Sequence, residues 1–535
     1  MNSNDADSAK RRLEEAVHEG DPDAIARTIV DHGWPLFASH YDLTVGVVAA
    51  LPTAVTNRYP ALRLMHPVTQ MISPISPELL RPMIDAEDTE QMDADELDAA
   101  LGVQMVTLRH SGDIAAAMER AVRLRDRLLH LHIDSHERAD GVLWYIHLQI
   151  GNTMLAGGES IKALMAFSTA RQIAAHSDRV DGVRLTLSRI ALARAIRGSH
   201  GDAAAALASA RTLAAPAAAF ASACTTTENA TAALLAVDAM ADDLDETLLA
   251  LEGYDSIEVS WPFSLLARTR AGIARQHPED ALEMVLLAGD THHVQEGSFA
   301  WDVLTSAEIE ARAAMGQETI TPRMRQAITT DRPGLLTRLA VVRLALHEGN
   351  LRAAEMGIRE LRRDDRLGPT QRAEVTTLGA WLEFLRTDGV DAPSAAQLLR
   401  IAETGRQRRL FSSLPRQLLD TVRAALGPEE AAIFAQALAG LPVDQKRIRP
   451  RLTRSEVRVL RALTTHTTTA RIASVLQVSP NTVKSQLRSI YRKLGCSTRD
   501  DVVNAAIRLQ LIDSPRRDAR PPISSRVGSE AVLHR

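Results

Sequence analysis

Ser479-Pro480 at one end and Gly495 at the other frame the stretch that most narrows what this chain can fold into. Serine is a strong N-cap, because its hydroxyl accepts an orphaned backbone N–H. Proline suits the first helical position, where no N–H is needed. Glycine adopts the left-handed conformation that stops a helix. Between them Val483, Leu487, Ile490 and Leu494 recur at helical spacing and form one apolar stripe. Lys484, Ser485, Arg488 and Arg492 take the opposite face. One side is made for a small core, and the other offers cations and hydroxyls to an anionic surface.

Shorter helical patterns flank it. Thr453-x-x-Glu456 is a capping box opening a helix that buries Val459, Leu460 and Leu463. A second helix over about 469–477 buries Ile472, Ala473 and Leu476, and residues 477–479 turn tightly into the long helix. A fourth, about 499–511, buries Val502, Val503, Ala506 and Ile507. Helix, tight turn, helix with an outward polar face is the helix-turn-helix unit, whose second helix enters the major groove of DNA. A generic helical hairpin would share the caps, but charge separates the two readings. Residues 446–513 hold fourteen Lys and Arg against four Asp and Glu, about +10, whereas the whole chain is −5. A basic module on an acidic body is the electrostatic footprint of phosphate binding.

The segment resembles the LuxR-type four-helix DNA-binding domain. The shared residues are Leu452-Thr453, Glu456, Val459-Leu460, Ile472-Ala473, Leu476, Val478-Ser479, Thr482-Val483-Lys484, Ile490, Lys493-Leu494-Gly495 and Arg499, in order and without gaps. The chain departs from the family pattern at Ser455 (usually Arg), Arg458 (usually Glu), Arg471 (usually a capping Glu) and Gln486 (often His). Arg471 loses a cap partner and sets a cation near a positive helix end, a cost from tenths of a kcal/mol to about 1 kcal/mol. The resemblance implies that Lys484, Ser485 and Arg488 face base edges. It also implies that Thr453, Thr482, Arg492 and Lys493 meet phosphates of double-stranded DNA, and that two copies bind as a homodimer through the last helix.

Upstream, the 45% apolar content excludes wholesale disorder, and only 3% aromatic residues among abundant Ala and Leu favours close-packed helices over sheets. Cys224 and Cys496 stand far apart, with no disulfide or metal spacing, which fits a reducing compartment. The polar first residues do not form a signal peptide, and no run of about 18 apolar residues occurs. A cytoplasmic protein with no membrane partner is expected.

From residue 9 to about 440, helix follows helix. A small turn and then an Ala-rich helix recurs at Gly112, Gly158, Gly201 and Gly349, with a variant at His277; Gly20, Gly316 and Gly389 fit the same ladder. Successive starts at 112, 158, 201, 277 and 349 lie one or two steps of about 36 to 46 residues apart. A helix pair per step predicts an all-α, tetratricopeptide-like helical-repeat solenoid over 9–440; a non-repeating helical domain is the alternative. The stretch from Trp34 through Leu51-Pro52 to Tyr59-Pro60 resembles the repeats of the large maltose-activator-like LuxR-type regulators. Those carry an N-terminal nucleotide-binding domain, but this sequence contains no G-x-x-x-x-G-K-[ST] phosphate loop. The expected layout is a disordered 1–8, the repeat domain 9–440, a basic linker 441–450, the DNA-binding domain 451–513 and a disordered tail 514–535.

No catalytic set assembles. His132, His136 and Glu137 have helical spacing but no HExxH order, and His292-His293 with Glu296 is a poorer metal set. Trp144, Trp261, Trp301 and Trp381 read as fillers between helices, or as part of a groove for a ligand. The expectation is a non-enzymatic, cofactor-free and metal-free transcription regulator. Its repeat domain would receive a small effector or a protein signal, and RNA polymerase would be a further partner. The alternative is a helical scaffold whose C-terminal domain binds protein instead of DNA.

Overall fold

The computed structural model describes residues 3–56, 58–59, 62, 94–131, 143–176, 180–214, 218–252, 260–317, 320–330, 333–442, 454–466, 468–494 and 498–508. The chain is all-α: among the described residues there are helices and turns and no β-strand. It divides into two compact units, Met1–Lys446 and Arg447–Arg535.

In the larger unit, Ser3–Glu19, Pro22–Asp31, Gly33–Ser39, Tyr41–Ala50 and Thr53–Thr56 close a core of their own around Leu13, Ile29, Leu36 and Val48. The first helix begins inside the stretch expected to be disordered. Ala6, Ala9, Leu13 and Ala16 are buried along one side of it, and that burial holds the helix almost to the terminus.

Helices then come in pairs: Ala94–His110 with Ile114–Leu131, Leu143–Ala156 with Ser160–His176, Val180–Arg197 with His200–Thr212, and Ala218–Ala239 with Leu244–Leu249. Trp261–Ala274 with Pro278–Thr291, Phe299–Met315 with Pro322–Thr329, Leu335–His347 with Leu351–Arg362, and Pro369–Thr387 with Ala392–Glu403 follow. Except for Leu244–Leu249 and Pro322–Thr329, which pack only on the helix before them, each helix packs on the next, and the first helix of each pair packs on the first helix of the following pair. Small side chains permit this. Ala163, Ala166, Ala170 and Ala174 make one buried seam of the Ser160–His176 helix, where a larger residue would hold the neighbour away.

The turn inside each pair carries a residue in the left-handed region, at 112, 158, 198, 240, 276, 316, 349 and 388, intervals of 33 to 46 residues. Three rungs of the sequence ladder move, one of them from His277 to Gln276, at φ 67°. The third turn residue is Gly198, and Gly201 lies within the His200–Thr212 helix. The last is Asp388, at φ 58°, and not Gly389.

The early pairs also meet later ones. Gln295 Oε1 accepts from Ala115 N at 3.0 Å, Arg197 Nη1 donates to Arg366 O at 3.1 Å, and Gln371 Nε2 donates to Ile196 O at 2.8 Å. Asp238 joins Arg409 Nε at 2.6 Å and His200 Nε2 at 3.0 Å. Burial pushes the Asp238 carboxyl up, but Arg409, the His200 hydrogen bond and Arg270 outweigh it and hold the group well below the usual carboxylate range.

Candidate nucleic-acid interface

The smaller unit contains Arg454–Thr465, Thr469–Leu476, Pro480–Leu494 and Arg499–Arg508. Their shared core is Val459, Leu460, Ala462, Leu463, Ile472, Ala473, Val483, Ile490, Val502 and Ala506. Leu476, Leu487 and Tyr491 pack half-buried against it. Val483 and Ile490 are fully buried, each contributing about 1.5–3 kcal/mol to fixing the long helix on its neighbours. The expected stripe is therefore the inward face at 483, 487 and 490. The side chain of Leu494, and Gly495 beyond it, lie outside the described residues.

Local chemistry sets the approach between the two central helices. Thr468 caps the shorter one, its Oγ1 accepting from Arg471 N at 3.3 Å. That helix ends at Gln477, which is left-handed at φ 57°, while Val478 N donates to Ala473 O at 3.1 Å. The chain then reaches Ser479, whose Oγ accepts from Thr482 N at 3.0 Å and pairs with the Thr482 hydroxyl at 2.8 Å. Both caps meet donors that the helices leave orphaned. Arg499 adds a tie that the residue pattern alone did not reveal. Its guanidinium donates to Leu463 O and, at 2.6 Å, to His466 O, clamping the carbonyl end of the first helix to the start of the last. A cation there also answers the helix dipole.

What this scaffold presents outward is Asn481, Thr482, Lys484, Ser485 and Arg488, all exposed. Neither Lys484 nor Arg488 has a hydrogen-bond or ion-pair partner among the described residues. Asn481 shares this face, three and four residues before Lys484 and Ser485, and carries no charge that would mark it in the sequence. Arg492 and Lys493 lie in the same helix, but their side chains are outside the described residues, as is Thr453.

A four-helix unit that locks a capped helix by one face and leaves free cations on the other is a helix-turn-helix DNA-binding domain. Residues 450–506 match the family model described as bacterial regulatory proteins, luxR family. The C-terminal domain is thus of the LuxR type, and the chain carrying it is a DNA-binding transcription regulator. No curated protein matches the chain.

The other candidates resolve differently. His292 stacks on Trp261 with ring centroids 4.3 Å apart, while His132, His136 and Glu137 lie outside the described residues. Among the described residues no cluster of His, Cys, Asp or Glu is disposed to hold a metal, and no helix is long and apolar enough to cross a membrane. Cys224 is buried and its thiol is pushed up to about 12 by burial; Cys496 lies outside the described residues. Trp144 and Trp381 are core residues, Trp301 lies under Arg323 at 5.9 Å, and Trp261 borders a cavity.

Proposed function

We propose that the protein regulates transcription at specific sites by docking the Pro480–Leu494 helix in the major groove. The observation that carries this is the sorting of that helix: Val483 and Ile490 sealed in the core, Lys484 and Arg488 exposed and without a partner among the described residues. Lys484, Ser485 and Arg488 read base edges, and Asn481 is placed to join them, since an amide pairs with adenine as a guanidinium does with guanine. Thr482, Thr453, Arg492 and Lys493 hold phosphates and set the register. Two copies associate through the last helix on half-sites about one helical turn, ~10 bp, apart. The stacked pairs act as a tetratricopeptide-like solenoid that receives an effector or protein signal, without catalysis, and RNA polymerase is the partner through which the signal reaches transcription.

Capture of bound genomic DNA, with and without the terminal domain, defines the site. Gel-shift titration then tests the face. Lys484→Ala with Arg488→Ala is expected to weaken specific binding by at least ~30-fold, since each base contact contributes about 1–3 kcal/mol. Unaltered specific affinity in the double variant would show that another surface reads the DNA.

A further inference from the structure

Inside the larger unit, a cavity of about 60 Å³ opens among Arg109, Asn152, Arg189, Trp261, Ser298 and Phe299. Arg189 is the anomaly. It is 4% exposed, yet no carboxylate and no hydrogen-bond acceptor among the described residues meets its guanidinium, and its Nε is enclosed and unsatisfied. The titratable groups facing it are Tyr145 and Cys224, and burial pushes both up to about 12, so neither supplies a counter-charge near neutral pH. Burying an unpaired cation is among the costliest things a core can do. Two further features of the wall suit an anion. Arg109 is held in place by Nη1 donating to Thr153 Oγ1 at 2.8 Å and Nη2 donating to Gln149 Oε1 at 2.8 Å, both neutral acceptors. The first turn of the Phe299–Met315 helix borders the space; Ser298 Oγ takes the Trp301 N–H, while the N–H groups of Phe299 and Ala300 have no partner within the helix. The remaining wall is mainly apolar, with Trp261 and Phe299 prominent.

We propose that this cavity binds a short-chain organic carboxylate, its carboxylate on Arg189 and its hydrocarbon against Trp261 and Phe299. The apolar wall favours a carboxylate with a small hydrophobic body over inorganic phosphate. The small, partly open space limits the ligand to a short chain. The proposal deepens the reading of the repeat unit as the receiver of a signal and rests on it for its regulatory meaning. The site itself is tested without DNA.

Isothermal titration of the full chain with sodium butyrate is the experiment, with butyramide and inorganic phosphate as matched probes. Butyrate is expected to bind; butyramide should bind at least about 10-fold more weakly, as loss of a charge-assisted pair implies, and phosphate more weakly too, because it has no hydrocarbon to cover the apolar wall. Arg189→Met is expected to fold with a urea midpoint equal to or above the parent's, because an unpaired buried charge is gone, and to lose butyrate binding about 100-fold. Arg189→Lys retains part of it. Butyramide or phosphate binding as well as butyrate, or undiminished butyrate binding in Arg189→Met, overturns the assignment. So does a lowered urea midpoint in Arg189→Met together with no butyrate binding to the parent, which would make Arg189 a structural residue. If butyrate binds through Arg189 but leaves affinity for the captured DNA unchanged, the anion site stands and the receiver reading falls.

Discussion

Arg109 and His110 sit side by side at the end of one helix, and burial acts on the imidazole strongly. His110 Nδ1 donates to Val106 O at 2.8 Å, but desolvation, helped by the Arg109 charge, pushes the ring down to about 4. An unfolded histidine takes up its proton near pH 6.5, while the folded one resists until about pH 4. The unfolded state therefore binds more protons across that interval, and stability falls as pH drops through it. Between pH 7.5 and pH 5 the parent should lose about 1–2 kcal/mol more than His110→Gln, which cannot titrate. Urea midpoints at the two pH values measure the difference, and equal losses would place His110 in water. At this scale the sequence was informative where periodicity sorts a face: Val483, Leu487 and Ile490 declare themselves, and Lys484, Ser485 and Arg488 follow by exclusion. It was silent on Arg189. In Leu187-Ser188-Arg189-Ile190-Ala191-Leu192 that arginine looks no different from Arg194 or Arg197, which are partly exposed. Only the packing of helices distant in sequence distinguishes them.

For elements, the helices were readable and their ends were less so. Caps that use Ser or Thr, such as Ser479 and Thr468, carry their chemistry in the residue type. Left-handed turns do so only when they hold glycine. Met240, Gln276, Asp388 and Gln477 all stand at positive φ, and none reads as a turn residue of that kind. The missing rung between 201 and 277 in the sequence ladder is Met240, hidden for that reason. Gln477 offers a direct check, because it is exposed and ends the helix just before the reading helix. Glycine carries no Cβ penalty there, so Gln477→Gly should stabilise the two central helices by about 0.5–1 kcal/mol. Amide exchange at Ile472 and Ile490 should slow by roughly two- to five-fold at neutral pH. Unchanged or faster exchange would mean that the Gln477 side chain contributes more than its strained backbone costs.

Across the larger unit, the fold depends on contacts that no local pattern announces. Helix pairs could be counted from periodicity, but not the return of the Val180–Arg197 helix end onto the start of Pro369–Thr387, where Arg197, Ile196 and His200 meet Arg366, Thr370 and Gln371. Gly198 sits at the centre of that return. Its φ is +75°, and a Cβ there would lie 2.1 Å from Thr370 Oγ1 and 2.8 Å from Thr370 N. Gly158 has nearly the same φ, +78°, with nothing within 4 Å of the same point. The pair separates a backbone cost from a packing cost. Gly158→Ala should lose only the left-handed penalty, about 1 kcal/mol. Gly198→Ala should lose that and a further 1–3 kcal/mol or so for overlap in a packed site, since Thr370 is buried and has no room to retreat. Urea unfolding of the two variants beside the parent measures both. Equal losses would mean that the early and late pairs are not in contact in solution. A larger loss at Gly198, with amide exchange speeding up around Thr370 and Gln371 but not around Gly158, is what a unit held together across 172 residues requires.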